Sequence, residues 1–505
     1  MADDEIVQRR NMIGKETVDV LLINPGSRSV VYQELGDNFS AIEPPSLAGL
    51  FATYLRRKGL TVGIVDAPAH NLSPQLVAEF VAENYRPILI VMVVYGFQPS
   101  ASTQNMPATG ETCRALKEHN ANYKIMMTGT HPAALPGRTM KDEAIDFVCD
   151  REGPETIWLT TLALKGGASN FGNVPSLWYR ENNKIASNPA APLMENLDDE
   201  MPGASWDLLP MEKYRAHNWH CFENIHARQP YASIHTGLGC PYKCTFCCIN
   251  APFGKSSYRL WSPDTVINEI DQLVNRYGVK NIKFVDEMFV LNKNHVFGVC
   301  DKIIERGYDL NIWAYARVDT VKDEYLEKLR QAGIRWLALG IESGSKYVRD
   351  GVEKGRFGTD QILQTVNKIK DAGINVIGNY IFGLPDDTFE SMQETLDLAT
   401  EANCEFANFY CAMAYPGSKL YTMALEKGWQ LPDSWIGYSQ HSFETQPLPT
   451  DLLSAADVLK FRDDTFYKYY TNEKYLDMIE RKFGADVLAH VKDMTKIRLK
   501  RKLYS

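Results

Sequence analysis

The first 165 residues alternate short apolar runs with segments of helical period. The runs are apolar on both faces, which is typical of buried parallel strands, and they lie at 18–24, 61–66, 88–94, 124–128 and 145–148. Predicted helices lie between them at 46–58, 74–84, 110–119 and 154–164. This order predicts a doubly wound α/β sheet, whose ligands bind beyond the carboxyl ends of the strands.

Residues 166–229 lose this rhythm and are rich in Gly, Asn, Pro and Trp, with one possible hairpin around 177–185. We interpret them as a linker that packs against both neighbours. The N-terminal unit is therefore predicted to span 17–165, after a tail at 1–16.

A second alternation follows, with predicted strands at 231–236, 280–286, 311–318, 335–341, 375–382 and 405–414. Several helices between them carry end signals, because Ser262 and Pro263 open one and four glycines close others, at Gly278, Gly307, Gly333 and Gly373. Six βα units predict an open partial (β/α)6 barrel over 230–430 with its reactive residues at the carboxyl ends of the strands. Residues 431–505 are predicted to form a helical C-terminal cap.

Composition limits the function classes. The chain has 505 residues, 45% of them apolar and 23% charged, with a net charge of −9. This profile is typical of soluble globular proteins and argues against a general nucleic-acid binder. No apolar run approaches the roughly 20 residues of a membrane span, and the polar start lacks a signal-peptide core, so we expect a cytoplasmic protein without a membrane span.

Three of the ten cysteines form a cluster directly after the first predicted barrel strand. Cys240, Cys244 and Cys247 lie within eight residues, and thiolates are the ligands of iron–sulfur clusters. Three protein ligands on four irons leave one iron open, which is typical of a catalytic site. The alternative is a structural zinc site completed by His235 or Cys248, although no second cysteine pair is visible.

The spacing of these cysteines, with Phe246 before the last, resembles the signature of the radical S-adenosylmethionine (SAM) superfamily. In that family a cluster of the 4Fe-4S type binds the amine and carboxylate of SAM, and later strand ends contact the cofactor. The resemblance implies SAM contacts at the carboxyl ends of the second, third and fourth barrel strands. The candidate SAM contacts are Phe246 in the cysteine loop and Asp286, Glu287, Arg317, Glu342 and Ser343 at these strand ends. The segment 381–385 resembles the one beside the adenine.

Residues 17–430 further resemble the cobalamin-dependent (B12-binding domain) subfamily, class B methylase-like, in which a Rossmann-like domain precedes the barrel. That resemblance nominates cobalamin contacts in the N-terminal loops at Asn24, Pro25, His70, Tyr95, Gly129, His131 and Glu152. The Asp-x-His-x-x-Gly sequence that supplies a cobalt ligand in other cobalamin proteins is absent, and Asn24-Pro-Gly stands in its place. A domain that binds no cobalamin and serves as a docking layer is the alternative.

The resemblance implies an enzyme that methylates an unactivated carbon of a small molecule. A 5′-deoxyadenosyl radical would remove hydrogen, methylcobalamin would donate the methyl group, and an external donor of flavodoxin or ferredoxin type would supply electrons. The alternatives are an oxidative cyclase or rearrangement enzyme similar to the anaerobic magnesium-protoporphyrin ester cyclase, and a noncatalytic scaffold. Substrate contacts are expected from Asn408, Tyr410, Tyr438 and His441, with Tyr410 and His441 as candidate catalytic residues.

Overall fold

The computed structural model describes residues 15–504 except residues 27, 97, 99 and 356, and it describes only the backbone of residues 29, 37 and 38. The predicted N-terminal tail therefore lies almost wholly outside the described residues. Within the described part of the chain, no helix is long and apolar enough to cross a membrane.

The N-terminal sheet has the predicted doubly wound topology. Its parallel strands pair in the order β2-β1-β3-β4-β5, with bounds β1 Glu16–Asn24, β2 Val62–Asp66, β3 Tyr85–Val94, β4 Ile125–Gly129 and β5 Phe147–Cys149. The strand order reverses between β1 and β3, so the crevice at their carboxyl ends is the expected ligand site of this fold. The prediction of a doubly wound sheet is confirmed.

The hairpin expected inside the linker extends this sheet. Strands β6 (Leu177–Glu181) and β7 (Lys184–Ser187) are antiparallel, and β6 pairs with β5, so the sheet has seven strands. A short strand such as β5 would otherwise leave its backbone unpaired at the sheet edge. The hairpin therefore belongs structurally to the N-terminal sheet, although it lies beyond residue 165.

Nine helices described in the N-terminal half surround the sheet or fill the loops beside it: α1 Arg28–Tyr32, α2 Leu35–Asn38, α3 Ser46–Arg57, α4 Ala67–His70, α5 Pro74–Asn84, α6 Ala101–His119, α7 Thr130–Ala134, α8 Pro136–Asp142 and α9 Pro154–Lys165. Helix α6 begins nine residues before the predicted start at Gly110. Pro107 lies inside it, and proline in a helical pattern usually marks a boundary. The expected bounds of that helix were therefore wrong.

Residues 188–229 join the two halves through largely irregular structure. The segment contains one short α-helix, α10 (Leu197–Glu200), and three 3-10 turns at Trp206–Leu208, Met211–Lys213 and Trp219–Cys221. The Ser205 amide donates to the Gly49 carbonyl of α3 at 3.0 Å. On the other side, Glu269 of the barrel accepts from the Ala204 amide at 2.8 Å and from Trp206 Nε1 at 3.0 Å. The segment is thus bonded to both neighbours.

The second sheet is an open barrel of six parallel strands in sequential order, as predicted. Its strands are β8 Tyr231–Ile234, β11 Asn281–Phe284, β12 Asn311–Arg317, β13 Ile334–Glu342, β14 Asn375–Phe382 and β15 Phe406–Cys411, and a small ribbon adds β9 Gly237–Leu238 and β10 Arg259–Leu260. The accompanying helices are α11 Pro263–Tyr277, α12 Lys293–Arg306, α13 Asp323–Gln331, α14 Lys346–Gly351, α15 Thr359–Asp371, α16 Phe389–Ala402 and α17 Lys419–Lys427. Ser262 caps α11, as its sequence position predicts.

The C-terminal helices α18 (Ala455–Tyr470), α19 (Glu473–Phe483) and α20 (Ala485–Met494) follow the barrel. The Tyr470 hydroxyl bonds both the amide and the carbonyl of Ala407 on the edge strand β15. The Gln440 side chain does the same at Cys411, at 2.9 Å for each bond. Side chains therefore pair part of the edge that an open barrel leaves exposed.

Candidate active site

The cysteine loop leaves β8 and turns back at Gly239. This glycine has φ +84°, and a Cβ here would lie 2.5 Å from Ser257 Oγ. Only glycine fits such a left-handed, crowded position without displacing a neighbour. The loop is then tied to the barrel, because the Thr245 amide donates to the Val352 carbonyl at 3.1 Å and the Thr245 carbonyl accepts from the Leu420 amide at 2.8 Å.

Two features of the loop fit an iron–sulfur cluster. All ten cysteines are free, so Cys240, Cys244 and Cys247 are available as ligands. Cys240 is buried, whereas Cys244 and Cys247 are partly exposed. Among the described residues, no group of three or more His, Cys, Asp or Glu side chains converges on a site for a single metal ion. Cys248 is buried, and its Cβ lies near Gly417.

Two cations lie beside the cluster loop. Arg317, at the end of β12, donates from Nη1 to Cys244 Sγ at 3.8 Å, and its other hydrogen bonds go to Asp319 and to the Lys354 carbonyl. Lys354 pairs with Glu342 at 2.6 Å, and both side chains are buried. Positive charge therefore faces the thiols. The predicted contact of Arg317 with the SAM carboxylate stays a prediction.

The two acidic candidates after β11 differ in their surroundings. Asp286 accepts from the Thr236 amide at 2.6 Å and also from the Thr236 hydroxyl. Burial raises the pKa of Asp286 to about 6, although the Thr236 hydrogen bonds oppose the shift. Glu287 has no hydrogen bond to another described residue, and burial raises its pKa to about 7 against the opposing charges of Lys283 and Lys354. Glu287 is thus the better candidate for the SAM amine.

The two candidates at the end of β13, Glu342 and Ser343, also differ in their surroundings. Glu342 lies at a bulge with φ +68°, a conformation that costs a non-glycine residue energy and is concentrated at functional sites. Ser343 is fully buried and bonds Thr395 Oγ1 at 3.2 Å, so its side chain is engaged in the core. Phe246 is partly buried against two small apolar clusters.

A cavity of about 440 Å³ lies between the N-terminal sheet and the barrel. Its wall on the sheet side includes Asn24, Pro25 and Gly96, at the carboxyl ends of β1 and β3. Its wall on the barrel side includes three of the predicted substrate residues, namely Asn408, Tyr410 and His441. Tyr438 is 1% exposed and does not line it, because its ring packs near Trp435 and Tyr415. Its expected contact with the substrate stays a prediction.

A smaller cavity of about 70 Å³ lies beside the cysteine loop, lined by Gly239, Asp286, Glu287 and His235 among others. Gly96 and Gln98 line both cavities. The crevice of the N-terminal sheet, the acidic SAM candidates and the interior of the barrel therefore meet around the loop after β3.

Of the other cobalamin candidates, Tyr95 and Glu152 line the smaller cavity. Glu152 also ties the halves together, because its carboxylate accepts from Arg259 Nη2 at 2.6 Å and from the Met194 amide at 2.8 Å. Gly129 has φ +148°, and a Cβ there would collide with the Val94 carbonyl. This close approach of the ends of β3 and β4 at the edge of the crevice requires glycine.

Neither histidine candidate lines the larger or the smaller cavity. His70 is exposed at the end of α4. His131 is 2% exposed, with Nδ1 at 3.2 Å from Thr103 Oγ1 and its ring at 4.4 Å from that of Trp435. Burial lowers the pKa of His131 to about 3. The contact of either histidine with cobalamin stays a prediction.

The larger cavity contains a buried charged group that the sequence analysis missed. Lys283 on β11 bonds Glu43 at 3.0 Å, and His217 lies 3.5 Å from the same carboxylate. Burial opposes ionisation of Glu43, but Lys283 and His217 outweigh it and lower the pKa of that carboxyl. The one available signal was a lysine inside the otherwise apolar run 282–285. Glu43 precedes Pro44-Pro45 and offered none.

Comparison with known proteins gives two family matches on one chain. Residues 36–158 match the B12 binding domain, and residues 234–399 match the radical SAM superfamily. An uncharacterized methyltransferase of Pyrococcus horikoshii is 29% identical over 84% of this chain and 87% of its own length. The anaerobic magnesium-protoporphyrin IX monomethyl ester cyclase of Rubrivivax gelatinosus is 25% identical over 90% of this chain and 78% of its own length.

Solved structures show the same fold. The radical SAM methyltransferase TsrM of Kitasatospora setae, with cobalamin and a [4Fe-4S] cluster bound, superposes with a TM-score of 0.66 at 17% identity over 90% of this chain and 89% of its own. The cobalamin-dependent radical SAM enzyme OxsB superposes with a TM-score of 0.66 at 16% identity. The superposition covers 95% of this chain and 71% of OxsB. The chain therefore combines a B12-binding domain with a radical SAM domain, as cobalamin-dependent radical SAM methylases do, and its cofactors are a 4Fe-4S cluster, SAM and cobalamin.

Proposed function

We propose that this enzyme transfers a methyl group to an unactivated carbon of a small-molecule substrate. The observation that carries the proposal is the meeting of three predicted cofactor sites on two adjoining cavities. The cysteine loop and Glu287 border the smaller cavity, and the crevice of the N-terminal sheet opens on the larger one. Substrate held between them would reach both the radical source and the methyl source.

When bound, the cluster with SAM supplies the radical that removes hydrogen, and cobalamin supplies the methyl group. Cys240, Cys244 and Cys247 would hold the cluster. Glu287 and Glu342 would orient the SAM amine and ribose, because both carboxylates lie at strand ends beside the loop. Asn24, Pro25 and Gly129 would border the corrin on the sheet side.

The substrate would occupy the barrel side of the larger cavity. Its floor is aromatic, since the Trp219 ring lies 5.1 Å from that of Trp313 and 5.5 Å from that of Phe406. Tyr410 and His441 would contact the substrate from β15 and from the segment after it. Burial, with help from Arg462, lowers the pKa of His441 to about 3, so it would act as a neutral hydrogen-bonding group. A TsrM structure that contains tryptophan supports a small-molecule substrate for this fold.

Cyclisation is the second candidate, because the cyclase relatives from two organisms cover 87–90% of this chain. The two reactions differ in the fate of the methyl group of SAM. A methylated product carries it, whereas a cyclised product does not. We also propose a cytoplasmic enzyme with an electron donor of flavodoxin or ferredoxin type, which approaches the exposed side of the cluster loop at Lys243.

The test is anaerobic reconstitution with iron, sulfide and cobalamin, followed by incubation with trideuteromethyl-SAM, a reductant and metabolite extracts. A product heavier by a trideuteromethyl group supports methyl transfer. Deoxyadenosine without a labelled product supports the cyclase alternative. Cys244→Ala should abolish both, and the matched control Cys248→Ala should retain both. Retained turnover in Cys244→Ala, or no iron in the reconstituted protein, would refute the proposal.

A further inference from the structure

The Arg317 side chain is fixed in an unusual way beside one cluster cysteine. It is 4% exposed, and Asp319 accepts from Nε at 2.9 Å and from Nη2 at 3.0 Å. The Tyr242 ring lies 3.9 Å from the guanidinium carbon. A bidentate carboxylate and an aromatic face together hold a guanidinium in one orientation.

That orientation directs the remaining edge of the guanidinium at sulfur. Nη1 donates to Cys244 Sγ at 3.8 Å, and Nη2 also donates to the Lys354 carbonyl. Gly355 makes room for this, because a Cβ there would lie 2.8 Å from Nη2. Asp319, at 36% side-chain exposure, lies on the Nε side of the guanidinium, so the positive group stands between it and the thiol.

We propose that Arg317 raises the reduction potential of the cluster by donating a hydrogen bond to the Cys244 thiolate. The proposal rests on the proposed function, since it requires the cluster. One-electron reduction adds negative charge to the cluster and its thiolates, so a buried cation and N–H donor at sulfur stabilise the reduced form. Arg317 is therefore a positioning residue that acts through Cys244.

The experiment is an anaerobic redox titration of the reconstituted full chain, followed by electron paramagnetic resonance of the reduced cluster, without SAM. Arg317→Met should load iron and sulfide like the wild type and show a more negative potential. The matched control is Lys243→Met, which removes a positive charge next to Cys244 in sequence but exposed to solvent. Water screens that charge, so its potential should stay at the wild-type value.

An unchanged potential in Arg317→Met would overturn the proposal, as would an equal shift in Lys243→Met. Weaker SAM binding with an unchanged potential would instead assign Arg317 to the SAM carboxylate. If Arg317→Met loads no iron, Arg317→Lys decides. Lysine keeps the positive charge but lacks the planar guanidinium that bonds Asp319 and Cys244 together, so a lowered potential supports the proposal and an unchanged one overturns it. Failure of the proposed function can be distinguished from these outcomes by the wild-type protein. It would then hold no titratable cluster, or it would form no labelled product.

Discussion

Removing the lysine of the buried ion pair tests the interpretation of the larger cavity most directly. Lys283 and Glu43 are 3% and 4% exposed, and they come from opposite halves of the chain. At 3.0 Å and an effective dielectric constant near 20, their attraction is about 5 kcal/mol. Lys283→Met would leave the Glu43 carboxylate buried with only His217 beside it. Loss of one partner of such a pair costs roughly 3–5 kcal/mol.

We expect a loss of about 3 kcal/mol, because His217 can take up a proton and replace part of the missing charge. The loss should shrink towards acidic pH, since Glu43 without Lys283 becomes protonated more easily. Replacing both partners, as Lys283→Met with Glu43→Leu, should recover most of the stability, because no buried charge is then left unpaired. Urea and thermal unfolding of the full chain under anaerobic conditions would measure the stability of both variants.

The matched control is Lys302→Met. Lys302 pairs with Asp264 at 2.5 Å, but the aspartate side chain is 77% exposed. Such surface pairs contribute about 0–1 kcal/mol. If Lys283→Met were no less stable than Lys302→Met, the 440 Å³ cavity would be wet enough to hydrate Glu43, and the reasoning about a buried charge would fail.

Three further predictions concern other parts of the chain. Burial raises the pKa of Glu269 to about 7 from an ordinary 4.5, so its protonated form favours folding and its contribution is lost as pH rises from 4.5 through 7. The unfolding free energy of Glu269→Gln should therefore rise relative to that of the wild type by up to about 3 kcal/mol as the pH increases from 5 to 8. Unfolding titrations across this range would measure the difference, and equal pH profiles would contradict the prediction. Gln440→Leu leaves the Cys411 amide and carbonyl unpaired and should lower the unfolding free energy by about 2–3 kcal/mol. A change below about 0.5 kcal/mol would show that water replaces the side chain. Gly239→Ala should reduce iron bound after reconstitution several-fold because of the collision with Ser257, and full iron loading would show that the loop can shift.

The fold was predictable because its signals are local. Apolar runs identified all eleven parallel strands, and Ser262 gave the start of a barrel helix. The cysteine spacing located the cluster loop for the same reason, since its three ligands lie within eight residues. The first nine residues of α6 were not predicted, because the rule that proline ends helices is only statistical and Pro107 is tolerated within this helix.

Residues that act together from distant positions could not be found in this way. Glu43 and Lys283 are 240 positions apart, and neither lies in a recognisable motif. Arg317 was correctly selected as a strand-end residue, but its bond to Cys244 depends on Asp319, Tyr242 and the space left at a glycine. The histidines were selected for their ligand chemistry, whereas packing decided that His131 is buried away from the cavity.

The joining segment has a consequence for exchanging modules between relatives. Its Trp219 forms the aromatic floor of the barrel, and its His217 completes the charged group to which the first half contributes Glu43. A barrel expressed alone, or grafted onto a foreign cobalamin domain, would lack Trp219 in its floor and would carry Lys283 without its Glu43 partner. Viable chimeras of this enzyme should therefore inherit Glu43, residues 188–229 and the barrel from one parent.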